Sequence, residues 1–428
     1  MENGSSTTVA SEQTQSPGLA EKWLDDVATN SIVYFKRLAA NDTLASGGHQ
    51  AGPYVPKQIL FDVFPNTASA TELNPSVTLL AAIDSHYLSK KVRAVWYNNR
   101  KAGSAAETEK GTRNEARITC WGGKSSPLLN PENTGALAAF AFRRQAEGDA
   151  PNLRVWVCNS TEEEEYFENR VGPVEPSFGV IMGTIPGEHT RSVRTKKSTC
   201  RLRPEEIPAE WRERFPKAHE IVEMTRARRR AGRRPADALL LQRRTCEFEI
   251  FQSLEQEIEG PRIKDGFSSI EDFLVVAQTI IQRRKSRSGK SLELHLQGLF
   301  EEFGLVPGHH FSSQPESEPG KRPDFIFPSE SAYKDSTFPA HRLRMLAVKT
   351  TCKDRWRQVI NEAKRIPQKH LLTLQQGVSA GQHAEMTEAG VQLVVPKQLF
   401  RSYPKEVRAS LMSLSDFIDE IKRLPAAV

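Results

Sequence analysis

The sequence predicts two domains, a mostly-β half followed by an α/β half with a mixed sheet. Three observations carry this reading. At 428 residues the chain exceeds the roughly 100–200 residues of an ordinary domain. Residues 20–185 show short β-branched and aromatic runs broken by Gly, Pro and Asn, whereas strong helical periodicities begin at residue 204 and later alternate with strands. With 38% hydrophobic and 26% charged residues, the composition suits a chain that buries two ordinary cores.

Taken in order, residues 1–19 are polar and lack an apolar h-region, which predicts a disordered tail and not a signal peptide. A helix is expected around Trp23. Strands are expected at SIVYFKRL (31–38), KVRAVWYNN (91–99), EARITCW (115–121) and LRVWVCNS (153–160), with a further helix at TGALAAFAFRR (134–144). This describes a barrel with a helix or two packed on it. The stretch FGVIMGTIPGEHTRSVRTKKST (178–199) loses periodicity and gains positive charge, so a linker is placed at 186–203, between domains at 20–185 and 204–428. Helical signals then dominate: WRERFPKAHEIVEMTRARRRA, ADALLLQRRTCEFEIFQSLEQEI and SSIEDFLVVAQTIIQRRK. A fourth helix, SLELHLQGLFEEFG, sets Leu292, Leu296, Leu299, Phe300 and Phe303 on one face. Strands follow at DFIF (324–327), LRMLAVKTT (343–351), HLLTL (370–374) and VQLVV (391–395), with DRWRQVINEAKRI as a helix between the second and third. Helix, strand, strand, helix, strand, helix, strand is the order of a mixed sheet covered by helices.

A net charge of +6 and a pI near 9.0 suit a polyanionic partner. Five cysteines, at 120, 158, 200, 246 and 352, are widely spaced and odd in number, which argues against a disulfide framework and a zinc knuckle. No apolar run approaches the ~20 residues of a membrane span. The sequence has no glycine-rich cofactor loop or Walker motif of a methyltransferase or ATP-driven enzyme. The expectation is an intracellular, reducing setting.

The candidate chemistry gathers at two strand ends. Asp324 opens one strand and Lys349 closes its neighbour, so both reach one edge of the sheet, where ligands of open α/β sheets bind. On the helix expected after it, Arg355 and Glu362 share a flank, which lets Glu362 lean back toward Asp324. Glu293 borders the buried face of its own helix. Hard carboxylate oxygens hold Mg²⁺, and an ammonium beside them can orient an attacking water and offset charge on a phosphate, so the set fits metal-assisted phosphodiester hydrolysis. Each side chain also has an ordinary structural alternative. Asp354 can cap a helix, Glu293 and Glu362 can be solvated, and Lys353 with Arg355 can be surface charge.

Long strings add to this pattern. RRKSRSGKSLELHL (283–296), KRPDFIFPS (321–329) and MLAVKTTCKDRWRQVINEA (345–363) resemble the catalytic domain of the EcoRII-type (type IIE) restriction endonucleases. YFKRLAANDTLASGGHQAGPYVP (34–56), ELNPSV (72–77), RNEARITCWG and NPENTGAL (130–137) resemble the N-terminal half of the same family. The resemblance implies an N-terminal DNA-binding pseudobarrel and a C-terminal PD-(D/E)xK nuclease fold. It further implies a homodimer that uses Mg²⁺ to cut double-stranded DNA at CCWGG, needs a second copy of the site as effector, and is restrained by its N-terminal domain. The cognate DNA methyltransferase acts on the same site without required contact. The active site it implies is Asp324 and Lys349, with Glu362 as the carboxylate displaced along the chain, Glu293 as helper, and Lys353 and Tyr333 linked to activity. Asp324 and Glu362 are the implied metal ligands. Lys353, Asp354 and Arg355 would read C:G pairs, since guanidinium forks suit guanine O6 and N7 while carboxylates accept from cytosine N4. Arg284 and Arg287 join the DNA-contacting set. The resemblance implies a prokaryotic, cytoplasmic, nucleoid-associated enzyme.

If GTRNEARIT (111–119) is a strand, Arg113, Glu115 and Arg117 share one face. The bland reading is a solvated sheet face with cross-strand ion pairs. The resemblance makes these residues, with His49 and Tyr54, the effector-DNA surface. Ala116 stands where the resemblance expects lysine, and KAGSAAETEK (101–110) looks inserted, so effector strength is open. The run RARRRAGRR (226–234) leaves phosphate binding and simple solvation both open; only the former predicts steep salt dependence. Two alternatives from other classes are a non-cleaving DNA-binding regulator on the same scaffold and a structure-specific repair nuclease.

Overall fold

The computed structural model describes residues 17–47, 52–69, 71–98, 114–143, 152–183 and 200–424. The expected tail up to residue 16, the linker between 186 and 199, the 101–110 segment, His49 and Arg113 lie outside the described residues. Helix α1 (Pro17–Ala28) starts inside the stretch expected to be tail, because Ala20, Trp23, Leu24 and Val27 form a buried stripe.

The first unit is built on β1 (Ser31–Arg37), β2 (Tyr54–Val55), β3 (Ser76–Ile83), β4 (Leu88–Tyr97), β5 (Glu115–Thr119), β6 (Leu137–Arg143), β7 (Asn152–Val157) and β8 (Val180–Met182). They form one eight-stranded sheet, ordered β2-β5-β4-β3-β7-β6-β1-β8, with β3 and β7 parallel and the other pairs antiparallel. Helix α1 packs on it together with α2 (Lys57–Val63) and α3 (Thr161–Val171). The structure corrects the helix expected at 134–144, which is the buried strand β6. Its apolar residues are continuous because both faces are covered. Ala138, Phe140 and Phe142 join the core with Ile32, Leu79 and Ile118, while Leu137, Ala139 and Ala141 meet Trp23, Phe35 and Phe167.

The second unit opens with α4 (Ala209–Glu213), α5 (Ala218–Arg228), α6 (Ala236–Asp265) and α7 (Ile270–Glu302). The periodicity suggests two helices across 268–304, but α7 runs through unbroken. Arg287 and Ser291 hold its middle against Glu247 of α6, which outweighs the Ser and Gly residues there. A five-stranded sheet follows, ordered β13-β12-β11-β10-β9. Its strands are β9 (Ser312–Ser313), β10 (Phe325–Phe327), β11 (Arg344–Lys349), β12 (Lys369–Thr373) and β13 (Val391–Val394). β11, β12 and β13 are parallel, and β10 runs against both β11 and β9. Between them lie α8 (Glu330–Lys334), α9 (Trp356–Val359) and α10 (Ala380–Glu388), and α11 (Leu414–Arg423) follows β13. Helices α6, α7 and α11 cover one face through Leu240, Leu296, Phe300 and Phe417. Trp356, Ile366 and Tyr403 cover the other.

Cys200 and Cys246 form a disulfide that fastens the segment leading into the second unit to α6. This overturns the expectation of no disulfide. The partners are 46 positions apart and belong to no spacing motif, so only the packing of that segment on α6 brings them together.

Candidate active site

Phe325 pairs with Leu346, so the turn entering β10 places Asp324 beside the end of β11, where its Oδ2 accepts the Val348 N–H at 2.7 Å. Burial pushes the Asp324 carboxyl up to about 6. The charge of Glu293 adds to this, against the opposing Val348 N–H, Lys349 and Lys290. Burial likewise pushes Glu362 up to about 7, opposed by Lys349 and reinforced by Asp324. Glu362 therefore feels both Asp324 and Lys349, and Asp324 feels the same ammonium. Asp324 and Lys349 line one cavity, and Glu362 lies within electrostatic range of both.

Glu362 arrives there by a route the periodicity did not suggest. Its expected helix is one turn, Trp356–Val359, and the chain then turns through Ala363, which is fully buried and has φ +47°. The left-handed residue ends the helix and redirects the chain. Lys321 Nζ holds the Asn361 carbonyl at 2.6 Å, and Glu318 accepts the Lys364 N–H at 2.8 Å. Tyr333 is buried and donates to Glu318, so its hydroxyl is committed to bracing this turn. Asp354 is no helix cap; it is exposed and pairs with Arg357 at 3.5 Å.

Glu293 Oε2 accepts from Lys290 Nζ and Gln314 Nε2, both at 2.8 Å. Among the described residues no three His, Cys, Asp or Glu side chains form a ready metal cluster. Two carboxylates suffice for Mg²⁺, which keeps several waters and takes further oxygens from phosphate. Burial lifts both carboxylates despite the nearby lysines, and their hard oxygens fit such an ion.

The site opens into a cavity of about 580 Å³ whose far wall is the first unit. Glu165 and Glu168 of α3 face Glu293, Asp324, Lys349 and Arg355 across it. Arg355 Nη2 stands 3.8 Å from Glu168, and Lys353 lies within electrostatic range of Glu163 and Glu164. Beside the cavity, Glu175 pairs with Arg244 and Arg287, which also share the fully buried Glu247. Burial opposes ionisation of Glu175, but the two guanidiniums outweigh it and hold the carboxyl down at about 2. Arg284 chelates Glu255 and reaches the Val171 carbonyl. Neither Arg284 nor Arg287 faces open solvent as a free cation here.

The seam continues at Glu132, which accepts from Ser379 Oγ at 2.8 Å, and at Ala40, whose N–H meets the Gln376 carbonyl at 2.9 Å. Gly377 is required at this contact: its φ is +110°, and a Cβ there would lie 2.5 Å from Ala40 Cβ and 2.7 Å from the Ser402 carbonyl oxygen.

In the first unit, Tyr54 and Arg117 are cross-strand partners, with the guanidinium 3.5 Å over the ring. Glu115 accepts from Tyr54 Oη and from Arg117 Nε. These three predicted residues therefore meet. Tyr54 and Glu115 border a second cavity of about 700 Å³, which also takes Lys36, Lys57 and Asn114. Lys36 and Lys57 join the cluster only through the fold of the sheet.

A mixed sheet with an acidic residue and a lysine at adjoining strand ends is compatible with the class of restriction-endonuclease-like nucleases. The comparisons are specific within that class. Residues 27–184 match the family "Restriction endonuclease EcoRII, N-terminal", and residues 251–418 match "EcoRII C terminal". The chain is 44% identical over 409 residues to the type II restriction enzyme EcoRII of Escherichia coli, covering 95% of this chain and 98% of the relative. It is 28% identical over 186 residues to the type II restriction enzyme SsoII of Shigella sonnei, covering 37% and 59%. Among solved structures, metal-depleted Ecl18kI in complex with uncleaved, modified DNA is 22% identical with a TM-score of 0.40, covering 52% of this chain and 85% of that one. The UbaLAI B3 domain with cognate DNA is 18% identical with a TM-score of 0.27, covering 38% and 98%. The chain belongs to the EcoRII family of type II restriction endonucleases. No helix among the described residues is long and apolar enough to cross a membrane.

Proposed function

We propose that this enzyme hydrolyses duplex DNA at a CCWGG-type site with Mg²⁺, and that a second copy of the site, bound by the first unit, releases it from a closed state. The observation that supports the first part is that Asp324 and Lys349, at adjoining strand ends, line one cavity with Glu362 within electrostatic range of both. Asp324 and Glu362 would hold the ion. When bound, Mg²⁺ supplies polarisation of the phosphoryl oxygen and a water acidic enough to attack. Lys349 orients that water and offsets charge growing on the phosphate. Glu293 keeps Lys290 in place at the cavity wall and also holds Gln314. Lys353, Asp354 and Arg355 lie just beyond Lys349 in the chain, so base reading and cleavage are coupled through one short segment.

The closed state is supported by what occupies those groups. Glu168 takes Arg355, Glu175 takes Arg244 and Arg287, and α3 walls the cavity. Opening would hand these guanidiniums to DNA phosphates, which they bind by the same forked geometry. The effector surface is Tyr54, Glu115 and Arg117 with the cavity beside them, together with His49 and Arg113. Two protomers acting on two strands would complete the enzyme as a homodimer. Incubating the protein with multi-site plasmid and Mg²⁺ should give defined fragments ending at one sequence. Lys349→Ala should bind DNA and leave it intact; substantial cutting by that variant removes Lys349 from the reaction.

A further inference from the structure

The arginine run 226–234 divides into two parts. Arg226 pairs with Glu302, and Arg228 pairs with Glu206. Arg230, Arg233 and Arg234 differ. All three are exposed in the loop joining α5 to α6, and none has a carboxylate partner among the described residues; Arg234 only caps the Arg230 carbonyl. The nearby acids are already committed. Glu302 serves Arg226 and Arg243, and Asp237 accepts the backbone N–H groups of Lys397, Leu414 and Ser415.

That Asp237–Lys397 bond brings a second basic element alongside. The segment 397–405 carries the exposed side chains Lys397, Arg401 and Lys405, with Glu406 as its single neighbouring acid in sequence. Arg408 holds the Tyr403 and Arg401 carbonyls, and the buried Tyr403 donates to the Gln375 carbonyl at 3.0 Å. The Gln375 side chain in turn accepts the N–H groups of Cys352 and Lys353. A hydrogen-bonded path thus joins this cationic face to the segment that follows Lys349. Both also leave the same edge of the sheet, because β11, β12 and β13 are parallel and β13 stands two strand spacings, about 10 Å, from β11. The first unit meets the second at 376–382, and its hydrogen bonds there use none of these six cations.

We propose that Arg230, Arg233, Arg234, Lys397, Arg401 and Lys405 form a phosphate-binding face that holds the backbone of duplex DNA outside the cleavage sequence, and does so while the catalytic cavity is still closed. The identification of the polyanion as DNA rests on the nuclease reading above. The face reads no bases; it recruits duplex and fixes its path toward Lys353. Guanidinium forks and ammonium groups on two elements suit adjacent phosphates, and each phosphate neutralised releases counterions.

The test is binding of the full chain to a short duplex without any CCWGG sequence, followed by fluorescence anisotropy over a salt series in EDTA. The triple variant Arg230→Gln, Arg233→Gln, Arg234→Gln should lower the slope of log K against log salt by about 2–3 units, at about 0.9 for each phosphate left unneutralised. Lys397→Gln with Arg401→Gln, on the other element, should lower it by about 1–2 units, which keeps the test sound if one variant folds poorly. An unchanged slope in both folded variants overturns the proposal. Because the readout needs no cleavage, altered slopes with an inactive native protein would leave the face standing and sink the nuclease reading. Intact cleavage with unaltered slopes would do the reverse.

Discussion

Asp324 and Glu362 hold their protons to higher pH than ordinary carboxylates, from 3.8 up to about 6 and from 4.5 up to about 7. A raised carboxylate binds protons in the folded chain that the unfolded chain has released. Its contribution therefore turns against the fold as pH climbs from the unfolded value through the folded one. In metal-free protein, Asp324→Asn should raise the melting temperature at about pH 8, and the gain should shrink toward about pH 5. Mg²⁺ should raise the melting temperature of the native protein more at the higher pH and leave Asp324→Asn almost unmoved; thermal denaturation at the two pH values checks both. At this scale the sequence placed Asp324 and Lys349 at adjoining strand ends, where the structure has them. It did not reveal that Tyr333 braces the turn through Glu318, or that Arg284 and Arg287 are spent on Glu255, Glu247 and Glu175. Such partners lie well beyond the reach of local spacing.

At the scale of elements, the turn after α9 decides whether Glu362 reaches the site. Ala363 is buried at φ +47°, a conformation that β-branched side chains resist. Ala363→Val should cost about 1–3 kcal/mol of stability through overpacking and backbone strain. It should also cut cleavage by well over tenfold while binding of a CCWGG duplex persists; denaturant unfolding and single-turnover rates separate the two effects. The apolar spacing of Trp356, Val359, Ile360 and Ala363 suits a longer helix, yet Ile360 is partly exposed. Periodicity failed here because the hydrogen bonds from Lys321 and to Glu318 favour a turn. It failed at β6 for a different reason. A strand covered on both faces has no polar alternation to announce it, and its alanines favour helix when read locally.

For the whole molecule, the Glu175 carboxylate joins two units through a buried, nearly charge-balanced cluster with Arg244, Arg287 and Glu247. Removing one member of such a set typically costs about 3–5 kcal/mol, because the remaining charges stay desolvated. Glu175→Gln should weaken closure and let the enzyme cut DNA with one site at a rate closer to that on two sites; comparing single-site and two-site plasmids measures it. A carboxyl held at about 2 supplies stability that is present above its ordinary 4.5 and is lost as pH falls from there toward 2. The native seam should therefore loosen in acid, seen as faster amide hydrogen exchange in α3 below about pH 4 after correction for intrinsic rates, and the Gln variant should lack that transition. A chain beginning near residue 200 should cut single-site DNA without an effector.

The sequence by itself determined that there are two domains, the order of the main strands in the second unit, and the placing of Asp324 and Lys349 at adjoining strand ends. These follow from local periodicity and from motif strings, which need no partner. The tertiary structure alone decided that β6 is a strand, that Cys200 meets Cys246, that Glu362 arrives by a turn, and that Glu168 and Glu175 occupy the arginines around the site. Each of those depends on burial or charge pairing between distant segments, and such energies are not written in the spacing of neighbouring residues.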